Sequence, residues 1–247
     1  MTPSTGRRPS RARLLAAVAA PLFLAITPVL AETRDELWPE FNAYLKLSPR
    51  TRIFLLAAFA RAEESESTTG NTIYRDGQFG AHLDLTLKPR LRHRVKERGD
   101  WERERYLWAR IGYRYGTNIG PVDDPFHEHR GIAELTARVP LPASFWLAGR
   151  ARVDFRDVDG KHSTRYRSRL TLEREMLVSG TAIVPNVSAE FFYDSRFDEW
   201  NRQRYQAGAE VVLNPHWRLE PYLTRQDDRR SQPEHVNALS VAVKYYR

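Results

Sequence analysis

Apolar and polar side chains alternate without error from Gln78 to Lys88. The apolar positions are Phe79, Ala81, Leu83, Leu85 and Leu87. The same alternation returns over residues 145–156, with Trp146 as its one exception, and again over residues 205–213. A period of two puts successive side chains on opposite faces of a β-strand, so each segment predicts a strand with one apolar and one polar face.

Weaker copies of this pattern occur along the rest of the chain and give eleven candidate strands in total. They cover residues 37–47, 52–62, 78–88, 102–116, 129–139, 145–156, 164–174, 182–194, 205–213, 217–226 and 236–246. No window of 11–18 residues beyond position 31 keeps a clean helical period of about 3.6 residues. The sequence therefore predicts an all-β fold.

Connections of two lengths alternate between the candidate strands. Short ones lie at 48–51, 140–143 and 214–216, with further tight links expected near 95–100 and 175–180. Longer polar ones lie at 63–76, 117–128, 157–163, 195–201 and 227–235. Short turns at one rim and long loops at the other are typical of an outer-membrane β-barrel.

The polar face of these strands indicates which solvent the apolar face meets. It carries charges of both signs on most strands, such as Arg110, Glu134 and Glu190. A water-soluble sandwich can also expose such a face, and this alternative stays open. Its core, however, would rest on small residues such as Gly149 and Ala207, which fill a core poorly but cause no problem against lipid tails. We therefore expect an antiparallel transmembrane β-barrel whose polar face lines the lumen.

The number of strands follows from length and from barrel closure. Spanning strands of about 9–11 residues with their connections divide residues 32–247 into ten to twelve segments. Single-chain bacterial barrels have an even number of strands. We therefore expect about 12 strands, with 10 as the alternative if the segment 37–47 lies in the lumen or along a rim.

Aromatic residues and the last strand agree with a barrel. Many aromatic residues fall near predicted strand ends, where rings with a polar tip sit well at the lipid headgroups. They are Trp38, Trp101, Tyr113, Tyr115, Phe155, Tyr166, Tyr193, Tyr205, Trp217 and Tyr245. The last strand carries an apolar ladder of Leu239, Val241 and Val243 that ends in Tyr245, which resembles the terminal signal read by the barrel assembly machinery. It departs from that pattern by ending in Tyr246-Arg247.

The first 31 residues have the three parts of a secretory signal peptide. Four arginines precede an apolar run at 14–27, and Val29 and Ala31 provide the small side chains of a cleavage site. We expect cleavage after Ala31, export by the general route, and a barrel domain over residues 32–247. An uncleaved N-terminal anchor is the rival interpretation. Cleavage removes four of the eight excess positive charges, which weakens a nucleic-acid-binding interpretation.

Short motifs give the chain a resemblance to a known family. They are the segment Glu36–Glu40 after the signal, the hairpin around Ser48–Thr51, Arg61 at the end of the second strand, and the stretch Gly112–Tyr115. In these features the chain resembles an uncharacterised family of proteobacterial-type outer-membrane β-barrels, known as a domain of unknown function. The resemblance implies a location and a fold and assigns no activity.

The residue pattern predicts no enzyme, and we assign no catalytic, cofactor-binding or metal-binding residues. The chain has no cysteine, which excludes a disulfide scaffold, a zinc ribbon and a thiol enzyme. His162 and Ser163 are adjacent, so in a strand they would point to opposite faces. His127 and His129 share a side but lack a third ligand, so we expect a solvated loop there. We expect His82 and Asp84 to form a structural salt-linked pair in the lumen.

The most informative functional feature is the arginine-rich polar face. Arginine accounts for 34 of the 39 basic residues, and Arg150, Arg152 and Arg156 are expected to face Arg165, Arg167 and Arg169 on the next strand. The predicted lumen-lining residues are Arg110, Arg114, Arg138, Arg150, Arg152, Arg165, Arg167, Arg169, Glu134, Glu173, Glu190 and Glu210. Such arginines can line a pore that favours anions, or pair with the carboxylates and form a plug.

Three hypotheses follow. The first is a small porin-like barrel of the bacterial outer membrane with an arginine-rich, anion-favouring lumen. The second is a non-conducting structural or surface-interaction barrel, and the third, less favoured, is a lipid-modifying barrel enzyme. The expected partners are outer-membrane lipid, the assembly machinery during insertion and a small anionic solute; nucleic acid is not expected.

Overall fold

The computed structural model describes residues 33–62, 73–89, 105–119, 125–230 and 234–247, and its regular structure is a twelve-stranded sheet. The strands are β1 (Thr33–Lys46), β2 (Thr51–Ala62), β3 (Ile73–Pro89), β4 (Arg105–Asn118), β5 (His127–Pro140), β6 (Phe145–Val158), β7 (Lys161–Arg174), β8 (Met176–Val178), β9 (Thr181–Asp194), β10 (Glu199–Val212), β11 (Trp217–Asp228) and β12 (His235–Tyr246). A short 3-10 turn at Pro142–Ser144 joins β5 to β6. The prediction of an all-β barrel of about twelve strands is confirmed.

Eleven of the strands close the barrel, and β8 lies outside the closed wall. Among the described strands, β8 pairs with β9 alone. It follows β7 after a break in strand structure at Glu175 and keeps the register in which β7 pairs with β9. Each of the eleven predicted segments overlaps one wall strand. The segment 37–47, considered for the lumen or a rim, lies in the wall as part of β1.

The wall closes where β1 pairs with β12, and this pairing is parallel, from Thr33↔His235 to Tyr44↔Tyr246. The other strand pairs are antiparallel. Strands joined by successive hairpins alternate in direction, so in a ring of eleven the first and the last run the same way. The odd number of wall strands thus accounts for the one departure from the predicted antiparallel order.

The connections correct part of the predicted loop pattern. The predicted long loop at 157–163 is wrong, because β6 and β7 extend until only Asp159 and Gly160 separate them. Gly160 has a φ of 77°, and Asp159 also lies at positive φ, as a two-residue hairpin turn requires. The connection at 195–201 is shorter than expected, because β9 and β10 leave four residues between them. The predicted signal peptide with Ala31, Trp101 and the predicted link at 95–100 lie outside the described residues, as does most of the predicted loop at 63–76.

The two faces of the wall have opposite chemistry. Large apolar side chains point outward and stay exposed, including Ile111 (54%) and Phe155 (58%). Charged side chains point inward and are buried, and Asp84, Asp154 and Asp194 are at most 1% exposed. This arrangement inverts the usual water-soluble pattern, in which the apolar face is the buried one.

Candidate functional site: the charged lumen

The lumen contains a cavity of about 760 Å³. Among the described residues that line it are eleven arginines and one lysine but only five carboxylates, Glu36, Glu40, Asp76, Glu190 and Glu220. Residues near the starts of β1, β10 and β12 and the ends of β4 and β11 line one end of it. The cavity surface therefore carries an excess of positive charge.

The predicted lumen residues occupy two zones of the interior. Arg110, Arg114, Arg150, Arg152, Arg165, Arg167, Arg169 and Glu190 line the cavity. Glu134 is buried directly behind it and faces the guanidinium groups of Arg110 at 3.9 Å and Arg150 at 3.7 Å. Arg138 pairs with Glu173, and Glu210 pairs with Arg218 and Lys244, close to the rim that carries the short turns.

Asp84 is the centre of the first ion-pair cluster. Its carboxylate accepts hydrogen bonds from Nε of Arg52 and from Nε of Arg110, each at 2.6 Å. A nitrogen of Arg105 lies 3.5 Å away. Asp84 therefore links side chains from β2, β3 and β4.

Glu190 and Asp154 form a second cluster across β6, β7 and β9. The guanidinium groups of Arg150 and Arg167 approach the Glu190 carboxylate at 2.6 and 2.9 Å. Asp154 accepts a hydrogen bond from Arg152 at 2.5 Å and lies 3.5 Å from Arg167. The predicted facing of arginines across β6 and β7 is confirmed in part, since Arg150 pairs in register with Arg169 and Arg152 with Arg167. Arg156 instead lies opposite Ser163, and Arg165 lies opposite Asp154.

A third cluster lies at the end of the barrel opposite the short turns. Asp194 accepts hydrogen bonds from Arg156, Arg165 and Arg196. Arg196 lies in the connection after β9, and its hydrogen bond to Asp194 raises the pKa of its guanidinium above the ordinary value. Glu128 pairs with both Arg130 and Arg156 and extends this cluster to β5.

Three cavity-lining arginines have no carboxylate within ion-pair distance among the described residues. Arg169 donates to Oγ of Ser188 at 2.8 Å and to Oε1 of Gln206 at 2.5 Å. Arg204 donates to Oε1 of Gln226, at 2.5 Å for the closer of its two nitrogens. Arg114 contacts a ring nitrogen of His82 at 3.3 Å. Their hydrogen-bond partners in the described part of the chain are neutral, and carboxylates such as Glu190 act on them only from beyond ion-pair distance.

Aromatic rings stack along the inner side of β12, β1, β2 and β3 near the short-turn rim. The rings of Tyr246, Tyr44, Phe54 and His82 form a continuous stack, with centroid distances of 4.7, 4.8 and 5.1 Å between successive rings. We call these four rings the aromatic floor. Guanidinium groups cover its faces, with Arg218 over Tyr246 at 4.1 Å, Arg52 over Tyr44 at 4.4 Å and Arg110 over Phe54 at 4.2 Å.

The histidines depart in part from the sequence expectations. The predicted pairing of His82 with Asp84 is wrong, because Asp84 pairs with arginines while His82 stacks on Phe54. Gly112 permits this position, since a Cβ there would lie 2.2 Å from the His82 ring. His127 and His129, expected in a solvated loop, lie on β5, where they contact the hydroxyl groups of Tyr115 and Tyr113.

His162 and Ser163 point to different sides of β7. The His162 ring is exposed and lies 3.3 Å from Asp157, whereas Oγ of Ser163 is buried without a hydrogen-bond partner. Both border a groove of about 520 Å³ that Tyr113, His129 and Phe155 also line. No group of three His, Cys, Asp or Glu side chains among the described residues is arranged to hold a metal ion.

Sequence reasoning missed the aromatic floor and four further cavity arginines. Arg34, Arg130, Arg202 and Arg204 line the cavity but were not predicted to do so. The signal for Arg204 was available, because it continues the inward positions of β10 one step before Gln206. The floor gave no such signal, because Phe54 and Leu56 alternate with other apolar residues and make both faces of β2 apolar.

Residues 36–237 match the family described as protein of unknown function (DUF2490). No curated protein matches the chain. None of the described segments forms a helix with the length and hydropathy needed to cross a membrane.

Two solved structures have a similar fold. LpxR from Salmonella typhimurium is 9% identical with a TM-score of 0.47, and the match covers 79% of this chain and 83% of that one. The beta domain of the Bordetella autotransporter BrkA is 12% identical with a TM-score of 0.41, and the match covers 85% of this chain and 93% of that one.

Proposed function

Because the chain belongs to the DUF2490 family, whose function is unknown, we propose a function from its own geometry. The protein is an outer-membrane β-barrel whose arginine-rich lumen admits small anionic solutes and acts as a small anion-favouring pore. The excess of arginine over carboxylate on the cavity surface is the observation that carries this proposal. The proposal includes no catalytic step, cofactor or nucleic acid.

The outer wall supports the membrane location. Leu170 and Val187 are more than half exposed on the outer face, as are Ile111 and Phe155. Exposure of these side chains to water would be unfavourable, because the transfer of apolar surface out of water lowers the free energy. Outer-membrane lipid is therefore the proposed partner of this face.

Aromatic side chains flank this apolar face at both rims. Tyr166, Tyr193 and Trp200 contact one another near the connection between β9 and β10. Trp217 and Tyr245 pack together at the short-turn rim, with ring centroids 4.9 Å apart. Two aromatic girdles around an apolar band are typical of barrels that span the outer membrane.

Heat-dependent migration in a detergent gel tests the location. We expect the unheated protein to run as a folded band distinct from the boiled one, and to remain with outer-membrane lipid when envelopes are fractionated. Recovery in the soluble fraction without a heat-sensitive band would contradict the membrane location. N-terminal sequencing of the mature protein tests cleavage after Ala31.

Conductance of the purified protein in a planar bilayer tests the pore. An anion-favouring lumen predicts discrete conductance steps whose reversal potential in a salt gradient shows preference for chloride over potassium. Cation preference would contradict the charge argument. The absence of steps would reject the pore and leave the second candidate.

The second candidate is a non-conducting barrel, and the aromatic floor favours it. Four stacked rings and the three guanidinium groups over them occupy space inside the wall near the short-turn rim. The double variant Tyr44→Ala, Phe54→Ala removes two of these rings. A closed barrel predicts that conductance appears or rises in this variant, whereas Phe41→Ala, which removes an exposed ring from the outer face, leaves conductance unchanged.

A further inference from the structure

The guanidinium groups of the lumen converge on one side of the cavity. Glu190 has Arg169 as its register partner on β7 and Arg204 as its register partner on β10. Arg150 and Arg167 contact its carboxylate directly. Four arginines therefore surround one carboxylate.

Arg114 and Arg152 extend this group, because both lie near enough to Arg167 for their like charges to repel. We call the group the arginine wall; its members are Arg114, Arg150, Arg152, Arg167, Arg169 and Arg204, and all six line the cavity. The carboxylates within 4 Å of it are Glu134, Asp154 and Glu190. Glu40 and Glu220 also line the cavity and attract Arg114 and Arg169 from a longer distance. Six positive charges against these five negative ones leave an excess of one.

The arginine wall also has unused hydrogen-bond donors. Nε of Arg150, Nε of Arg169 and Nη2 of Arg152 are buried without a hydrogen-bond partner. A buried donor without a partner costs about 1–3 kcal/mol, and more when it is charged. An anion with several acceptor oxygens would therefore complement both the charge and the donors of this wall.

One strand on the opposite side of the cavity, β2, is apolar. In the ring of eleven wall strands, β7 and β9 lie across from β2. Every residue of β2 that lines the cavity is apolar: Phe54, Leu56, Ala58, Phe59 and Ala60. The cavity thus offers arginines on one side and, on the other, the apolar surface of β2 between the carboxylates Glu36 and Glu40 of β1 and Asp76 of β3.

We infer that the lumen binds an organic phosphate monoester, with its phosphate on the arginine wall and its apolar group against β2. A phosphate monoester carries close to two negative charges at neutral pH and three strong acceptor oxygens, which suits several guanidinium forks at once. A carboxylate offers one charge and two oxygens, and inorganic phosphate leaves the apolar side without a contact. The inference deepens the proposed function, since it needs solute access to the lumen, but it does not need conduction.

Calorimetric titration of the folded protein in a neutral detergent tests the ligand class. The probes are phenyl phosphate, inorganic phosphate and benzoate, which separate the dianion from the ring. We expect saturable binding of phenyl phosphate, weaker binding of inorganic phosphate and the weakest binding of benzoate. Equal affinity for benzoate and phenyl phosphate, or no saturable binding of phenyl phosphate, would overturn the inference.

Arg204→Gln and Arg169→Gln locate the site. Neither arginine has a carboxylate within ion-pair distance, so its loss leaves no buried carboxylate unpaired and the barrel should still fold. One charge-assisted hydrogen bond contributes about 1.5–3 kcal/mol, so each variant should weaken phenyl phosphate binding about ten- to hundredfold. The matched control is Arg225→Gln, which removes an arginine whose contacts are Asp227 and Asn237. Equal affinity in all three variants would show that the ligand binds elsewhere.

Trp38 reports on binding inside the lumen. The guanidinium group of Arg204 lies 5.1 Å from the centre of its ring. A phosphate that draws Arg204 away should change the tryptophan fluorescence, and Trp38→Phe should remove that change while leaving the calorimetric affinity within a factor of a few. A fluorescence change that persists in Trp38→Phe would contradict this location. A barrel that binds phenyl phosphate without conducting would keep this inference and reject the pore.

Discussion

Asp84→Asn should destabilise the barrel more than any surface charge change of the same kind. The Asp84 side chain is fully buried, and it accepts hydrogen bonds from Arg52 and Arg110 at 2.6 Å while Arg105 lies 3.5 Å away. The substitution keeps the size of the side chain and removes its charge. Three buried guanidinium groups then lose the carboxylate that they share.

The magnitude follows from the cost of breaking a buried ion pair. Removing one partner of a buried ion pair costs about 3–5 kcal/mol. Arg110 keeps Glu134 at 3.9 Å, which offsets part of the loss and favours the lower end of that range. We therefore expect a loss of about 3 kcal/mol in the free energy of unfolding, which is about a hundredfold in the folding equilibrium.

Urea titration in detergent micelles measures this loss. The folded and unfolded fractions are read from the two bands of an unheated gel, and the free energy is extrapolated to zero urea. Equal slopes for the variant and the unchanged protein would show that the midpoint shift reports stability rather than a change in the surface exposed.

Asp227→Asn is the matched control. Asp227 pairs with Arg225 at 2.9 Å and with His235 at 2.7 Å, but its side chain is 37% exposed. Exposed pairs contribute about 0–1 kcal/mol, so this variant should lose little stability. If both variants lost the same amount, the buried cluster at Asp84 would not stabilise the wall in the way argued here.

Two further substitutions test the wall. If the exposed Ile111 side chain faces the bilayer midplane, Ile111→Arg should lower the free energy of unfolding by about 2–4 kcal/mol, whereas Leu213→Arg, at a short turn, should lower it by about 0–1 kcal/mol. Urea titration measures both losses, and equal losses would show that both side chains face water. Gly112→Ala should cost about 1–3 kcal/mol, because its Cβ would lie 2.2 Å from the His82 ring and 2.7 Å from a backbone oxygen. At Gly149 a Cβ would have nothing within 4 Å, so Gly149→Ala should leave unchanged or raise the temperature at which the folded gel band disappears. A larger loss of stability for Gly149→Ala than for Gly112→Ala would contradict the packing at Gly112.

The strands could be predicted because their signal is local. Most wall strands have an apolar face for the outside and a polar face for the lumen, so their period of two is visible without knowing the neighbouring strands. The same parity assigned Arg150, Arg152, Arg167 and Arg169 to the interior, where they line the cavity.

Partner choice inside the lumen could not be predicted from parity. His82 and Asp84 lie two residues apart on one face, yet Asp84 turns to arginines on β2 and β4. Inward side chains can reach several strands, and the nearest opposite charge depends on the closed shape. The aromatic floor is hidden for a similar reason, since Tyr246 and Tyr44 meet only across the seam between β12 and β1.

The parallel seam shows how local parity still fixes closure. At this seam the outward residues Leu37 and Phe41 pair with Leu239 and Val243, so apolar side chains adjoin apolar ones on the outer face. A slip by one residue would align outward positions of β1 with inward positions of β12, such as Lys244. This mismatch would place charged side chains on the outer face or apolar side chains among the arginines of the lumen. The two faces therefore specify the register between β1 and β12, although these are the first and last strands of the wall. The wall therefore closes with eleven strands rather than the expected even number. At the seam, the matching of the two faces decides how β1 meets β12, and the direction of the strands does not.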